Sequence, residues 1–167
     1  MLGDLTLELE RSLRAHAFTR GLPNSHIAKL ASLATEVSFH ENEVVMMGHQ
    51  HSQFFYLVNS GSVNIELHTP IFTVSVLAVG PGQAFGWSAL LDHQDTLFQV
   101  RAREETNALR FAGMDLSELC RSDPALGVEI LRRTLQVVAG RIEATEARFA
   151  EICGVRVKSH KKEHSQP

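Results

Sequence analysis

Between about Val37 and Phe111 apolar residues recur with a period of two, in short runs cut by turn residues. This stretch restricts the chain to a fold built on many short strands. The breaks fall at Glu41-Asn42, Gly48, Asn59-Ser60-Gly61, Thr69-Pro70, Gly80-Pro81-Gly82 and Gly86. In the run from Phe98 to Arg103, Phe98, Val100 and Ala102 fall on one face, and Gln99, Arg101 and Arg103 on the other. The runs Phe54–Val58 and Val63–Leu67 flank a short turn and predict a hairpin. Strands this short and numerous suggest a jelly roll or compact barrel.

Helical spacing brackets this region. Leu2, Leu5, Leu9 and Leu13 predict a first helix that Gly21-Leu22-Pro23 ends. A second places Asn24 or Ser25 at its N-cap, with Ile27, Leu30, Ala31 and Ala34 on one face. After Arg110 a short helix closes at Ser117–Cys120, and Ser122-Asp123-Pro124 opens a long one. On the long helix Leu131, Leu135, Val138, Ile142, Thr145, Phe149 and Ile152 are spaced 4-3-4-3-4-3. Such a stripe is a seam for another helix and predicts a homodimer; the competing reading packs it on the chain's own β domain. Gly140 weakens this helix and predicts a close approach or a bend. The expected class is therefore α+β: N-terminal helices in 1–36, a β jelly roll in 37–111, a short helix and a long dimerisation helix in 112–154, and a basic tail in 155–167.

The 167 residues, 44% of them hydrophobic, with a net charge of −3, fit one globular domain. No stretch approaches the roughly 18 apolar residues of a membrane span, and Asp4, Glu8 and Glu10 stand where a signal peptide needs basic and apolar residues. The expectation is a cytoplasmic protein without a membrane partner. Cys120 and Cys153 lie far apart without ligand spacing, so neither a disulfide framework nor a zinc site is predicted. Slight acidity argues against nonspecific nucleic-acid affinity.

Three segments carry a resemblance: Glu41-Asn42-Glu43-Val44-Val45 followed by Gly48, then Phe55–Val63, then Val79-Gly80-Pro81-Gly82-Gln83-Ala84-Phe85-Gly86. Together with the element order they resemble the cyclic nucleotide-binding domain family, specifically the sensor half of bacterial regulators of the catabolite activator type, over about His16 to Gly154. Asn42 stands where the family has a glycine, a mild change because Asn tolerates left-handed backbone.

The resemblance implies a phosphate-binding cassette at Phe85-Gly86-Trp87-Ser88-Ala89-Leu90, a stretch whose backbone N–H groups meet the cyclic phosphate in the family. The family's ribose-binding glutamate is Trp87 here, its phosphate-binding arginine is Thr96, and the following hydroxyl residue is Leu97. Arg101 and Arg103 are an odd number of residues from Thr96 and point to the opposite face of a regular strand. His93, in the loop, is a weak candidate replacement. Losing one partner of a buried charge pair costs roughly 2–5 kcal/mol, so cyclic nucleotide affinity should fall by about two orders of magnitude or more. Backbone donors around Gly86–Ala89 would remain. Trp87 admits two readings, a stacking surface for a planar ligand or a plug that fills the ribose space. At the base end, the family's Thr-Ser pair aligns with Thr145 and Glu146; Thr145 is also a seam position, so ligand contact and packing compete. The candidate ligand-binding residues are thus Phe85, Gly86, Trp87, Ser88, Ala89, Thr96, Leu97 and Thr145.

Only 13 residues, 155–167, follow Gly154, fewer than a helix-turn-helix needs, so no sequence-specific DNA binding is expected. The basic tail is read as a solvated end, with an interaction role as the alternative. The sequence thus predicts a non-catalytic ligand-sensing regulatory protein that acts through a protein partner. It requires no cofactor, its ligand being a cyclic nucleotide or another small molecule. One alternative is an ordinary cyclic AMP- or cyclic GMP-binding signalling protein. Another is a metal-dependent cupin-like enzyme, suggested by His49 and His51 but lacking the glutamate and the later histidine that would complete its ligand set. No Gly-x-Ser-x-Gly, Walker loop or His-Glu-x-x-His occurs.

Overall fold

The computed structural model describes residues 2–91 and 95–154. Helix α1 (Leu2–Ala15) buries Leu9 and Leu13, and α2 (Asn24–Ala31) buries Ile27, Leu30 and Ala31. The N-cap expectation for α2 is corrected. Pro23 occupies the cap position with no side-chain bond, and Asn24 is already helical, its Oδ1 accepting from Arg14 Nε at 3.3 Å. Ten strands follow: β1 (Thr35–Phe39), β2 (Val44–Met46), β3 (Gln50–His51), β4 (Phe54–Ser60), β5 (Val63–His68), β6 (Thr73–Val79), β7 (Ala84–Phe85), β8 (Asp95–Thr96), β9 (Phe98–Ala102) and β10 (Thr106–Ala112). Antiparallel pairing arranges them as β1-β10-β4-β7, β2-β9-β5-β6 and the small pair β3-β8, the expected jelly roll. Helices α3 (Gly113–Ser122) and α4 (Pro124–Ile152) complete the α+β class.

Strand β4 divides two cores. Its Phe55 and Leu57 face the helices, packing with Leu13, Leu30, Leu116 and Ile130. Tyr56 and Val58 point the other way, into the roll with Ile65, Phe85 and Val100. A strand buried on both faces needs an unbroken apolar run, which Phe54–Val58 supplies.

The hairpin expected from Phe54–Val58 and Val63–Leu67 is not formed: β4 and β5 lie in opposite sheets. The reason is local. Ser62 N–H donates to Thr106 Oγ1 at 3.1 Å and the Ser62 carbonyl accepts from Arg103 N–H at 2.9 Å, which directs β5 to pair with β9. Period two holds in β9, where Arg101 turns outward to Glu66 at 3.3 Å, but the outer face is partly closed and Gln99 is buried beside the same glutamate. Asn42 adopts φ 67°, the left-handed geometry anticipated for it.

Asp123 caps α4 by accepting from Leu126 N–H at 3.2 Å, with Pro124 in the first turn. Leu126, Ile130 and Thr134 seal the helix onto the core. Most of the apolar stripe is left uncovered by the β domain: Leu131, Leu135, Ile142, Phe149 and Ile152 are each more than half exposed, while Val138 and Thr145 are half-buried. Among the described residues of the chain nothing lies within 4 Å of a Cβ built at Gly140, so no close approach is made there within the chain itself. His93 and the basic tail, 155–167, lie outside the described residues. Among the described residues no helix is long and apolar enough to cross a membrane.

His16 joins α1 to β4. Its buried ring accepts from Phe18 N–H at Nδ1 (3.1 Å) and donates from Nε2 to the Val58 carbonyl at 3.0 Å, a pattern only the neutral ring can satisfy. Burial lowers its pKa below the ordinary 6.5, against the raising effect of the Val58 bond. Below pH 6.5 the unfolded chain takes up the proton first, so this contribution to stability, complete above that pH, is lost as pH falls through the folded value. Exposed His40, raised by Glu105, works in the opposite sense. Urea unfolding across pH 7.5 to 5 should therefore show a steeper loss of stability for the native chain than for His16→Gln; equal slopes would remove His16 as the source.

Candidate functional site

The strongest candidate lies where the roll meets α4. Phe85 ends β7 stacked on Tyr56, ring centroids 4.6 Å apart and planes within 11°, a contact worth about 0.5–1.5 kcal/mol beyond its buried area. This pair fixes the start of the following turn. Gly86 then takes φ 80°, and a side chain there would strike the Phe54 carbonyl and approach the Tyr56 ring. The chain continues into a short 3-10 turn, Trp87–Leu90. Ala89 N–H closes it onto the Gly86 carbonyl at 3.0 Å, so this donor is not free for a ligand. Beneath the turn, Gly113 opens α3 so closely that a Cβ would overlap the Ala89 carbonyl, and Gly127 of α4 abuts the Cys120 carbonyl in the same way.

Beside this turn is a cavity of about 300 Å³. It brings together six of the eight residues singled out in the sequence: Phe85, Gly86, Trp87, Ser88, Thr96 and Thr145. Ala89 is buried beneath the wall, and Leu97 points away from it, 59% exposed. The reason is alternation: Thr96 and Phe98 face inward, so the residue between them must face out. Trp87 is half-buried against the helical core and forms one wall, leaving the cavity open beside it. Most of the remaining lining is apolar, with Met46, Ile65, Phe98, Val100 and Ile142. Apolar walls with a few convergent polar groups are the usual make-up of a small-molecule site.

Two polar residues of α4, Arg141 and Glu146, complete the lining. The Arg141 guanidinium lies 4.5 Å from the centroid of the Phe98 ring, an attraction of roughly 0.5–2 kcal/mol that ties α4 to β9. Burial lowers its pKa to about 10, which leaves it fully charged at neutral pH. Thr145 donates its hydroxyl proton to the Arg141 carbonyl at 2.8 Å, so toward the cavity it offers acceptor lone pairs. Thr96 Oγ1 accepts from Phe98 N–H at 3.2 Å.

The replacement cations that the sequence suggests, Arg101, Arg103 and His93, all lie close to Thr96 along the chain, and Arg141 is not among them. The usable signal was on the helix: Arg141 precedes Thr145 by four residues, one turn, and shares its face. The two strand arginines point away, as expected, with Arg101 held by Glu66 and by the Asn42 carbonyl at 2.8 Å. His49 and His51 are exposed at the roll surface. Among the described residues no group of three His, Cys, Asp or Glu side chains could hold a metal ion.

The family model for the cyclic nucleotide-binding domain matches residues 36–123, more than half of the chain. Comparison with curated proteins gives no match. Among solved structures the chain is similar to a cyclic nucleotide-binding domain from Methylobacillus flagellatus KT, at 17% identity and TM-score 0.73, covering 93% of this chain and 87% of that one. It is similar to the N-terminal domain of a transcriptional regulator from Streptomyces coelicolor A3(2), at 21% identity and TM-score 0.62, covering 90% and 99%. A third is the regulatory subunit of a cAMP-independent protein kinase A from Trypanosoma cruzi bound to guanosine, at 16% identity and TM-score 0.64, covering 82% and 50%. At these identities the likeness is one of fold.

Because Gly86 combines left-handed backbone with a carbonyl in the place of its Cβ, Gly86→Ala should lower unfolding stability by about 1–3 kcal/mol. Urea unfolding followed by far-UV circular dichroism checks this; an unchanged midpoint would show that the turn has more room than its geometry indicates.

Proposed function

From the chain's membership of the cyclic nucleotide-binding domain family, we propose that it is a non-catalytic regulatory protein whose roll pocket senses a small planar ligand and whose affinity for cyclic nucleotides is weak. The observation that carries this reading is the pair Trp87 and Thr96 on the cavity wall. They stand where the resemblance puts the ribose-binding carboxylate and the phosphate-binding arginine, and neither supplies charge. A bulky aromatic beside an open cavity of about 300 Å³ suits a flat ring system better than a second anion-binding strand. The guanosine held by the Trypanosoma cruzi structure, a nucleoside without phosphate, is in keeping with a pocket of this fold serving such ligands.

The output is read as a change in a homodimer. The stripe Leu131, Leu135, Val138, Ile142, Thr145, Phe149 and Ile152 runs along α4, and two of its members, Ile142 and Thr145, also line the cavity. A ligand that touches these residues and has different affinity for two arrangements of α4 shifts the population between them, and a protein partner receives the change.

Trp87 is the only tryptophan, so its fluorescence reports directly on the cavity. Titration with cyclic AMP and cyclic GMP, confirmed by calorimetry, should give dissociation constants of about 100 μM or weaker. Micromolar or tighter binding of both would overturn the reading of weakened affinity and restore an ordinary cyclic nucleotide sensor. Sedimentation equilibrium should give the mass of two chains, and Leu135→Glu combined with Phe149→Glu should give one. A native chain that sediments as a single copy at micromolar concentration would sink the dimer.

A further inference from the structure

A second cavity, of about 450 Å³, shares a single lining residue, Arg141, with the first. Its buried part is apolar: Phe18 from the turn after α1, Val79 at the end of β6 and Ala84 of β7. The run of α4 from Arg132 to Arg141 forms another wall. Among the described residues no Asp or Glu lines this cavity, whereas Arg132 and Arg133 do. Their neutralisation is incomplete, because one oxygen of Glu129, Oε2, accepts from both, at 3.1 and 3.2 Å. Arg133 commits further donors to the carbonyls of Phe18 and Arg20, at 2.6 and 3.1 Å. Arg132, on the exposed side, meets no second acceptor among the described residues, so most of its five donors are left to a ligand or to water. Gln83, also in the lining, has its Oε1 taken by the Gly80 N–H at 2.7 Å, which leaves its amide nitrogen to donate. The cavity thus presents donors and positive charge beside an apolar interior.

Gly140 supplies an independent observation. A glycine inside a helix is destabilising relative to alanine, and Gly127, on the same helix, is accounted for by its close contact with the Cys120 carbonyl. Gly140 has no such neighbour in the chain. The apolar stripe does not account for it either: its nearest members, Val138 and Ile142, each lie two residues away, roughly 200° around the helix, so Gly140 faces away from a helix docked there. What Gly140 borders is this cavity, in line with Arg133 and Val137, seven and three residues earlier. A Cβ at that position would stand in open space and meet nothing of the protein. We propose that this cavity is a second binding site, for an amphiphilic organic oxyanion: a small molecule whose carboxylate or phosphate is held by Arg132 and whose apolar body lies against Phe18, Val79 and Val137, in the space that Gly140 leaves open. Guanidinium groups meet either head group in the same two-pronged geometry. The site is independent of whatever the roll pocket binds.

The probe is 8-anilinonaphthalene-1-sulfonate, an oxyanion on an aromatic body whose emission rises when it leaves water. It would be titrated into the full native chain and into Gly140→Leu and Arg132→Gln, each first checked for native circular dichroism and unchanged sedimentation mass. The native chain should bind one dye per chain, more weakly as salt is raised. Gly140→Leu places a side chain in the cavity without touching the rest of the protein; it should keep or raise the urea midpoint and weaken the dye about tenfold or more. Arg132→Gln should weaken it about fivefold and remove most of the salt dependence. Octanoate, octyl phosphate and octanol are then compared as displacing agents on the native chain. Displacement by octanoate or by octyl phosphate, with octanol about tenfold poorer, supports the site and shows which head group it prefers. Displacement as good with octanol would overturn the anion class. A native chain that binds no dye would overturn the site, as would dye binding that Gly140→Leu leaves unchanged, since the dye would then sit elsewhere. Should Gly140→Leu fail to fold, Arg132→Gln, altered only at an exposed side chain, decides the same question: unchanged dye affinity and salt dependence in that variant would overturn the proposal.

Discussion

Burial of β4 on both faces is the constraint on which the rest of the structure depends. Alternate residues of one strand belong to different cores: Phe55 and Leu57 hold the four helices against the roll, while Tyr56 and Val58 fill its interior. The hydrogen bonds of such a strand must be met within the sheet, and β10 and β7 meet them on either side. β7 is only two residues long, and its Phe85 is fixed by stacking on Tyr56. The strand that joins the two cores therefore also positions the turn on which the cavity is built.

Charge in the cavity is arranged in a way that couples it to the helix. A cation on a roll strand would bind a ligand within the β domain alone. The cation that lines the cavity, Arg141, stands on α4, alongside Thr145, whose hydroxyl is committed to the Arg141 carbonyl. The Phe98 ring keeps the guanidinium at the boundary between the two. On the function proposed above, recognition of a ligand would act across that boundary between roll and helix.

Much of the fold was legible because local chemistry agreed with the tertiary outcome. Asp123-Pro124 opens α4 with a cap its neighbours do not disturb, and Asn42 takes the left-handed conformation its side chain tolerates. The reading failed where a distant partner decided the geometry. Phe54–Val58 and Val63–Leu67 look like a hairpin in isolation, but Thr106 and Arg103, some forty residues away, seize the Ser62 backbone and send the second strand to another sheet. The site shows the same division. The turn at Phe85–Ser88 is a contiguous motif and was visible. Arg141 reaches the same cavity from an element far along the chain, and no local pattern around the turn refers to it. Leu97 was misplaced by carrying a family position across without applying the alternation that Thr96 and Phe98 impose.

The two glycine contacts behind the cavity carry a mechanical consequence. Side-chain interfaces absorb small displacements by adjusting rotamers, so movement on one side fades before it reaches the other. At Gly113 against Ala89, and at Gly127 against Cys120, backbone meets backbone with no side chain between. Such joints have no slack in compression. The cavity floor, α3 and the first turns of α4 form a train of rigid links, and the exposed stripe begins where that train ends. A displacement at Trp87–Leu90 meets no side-chain cushion on its way to α3 and the first turns of α4.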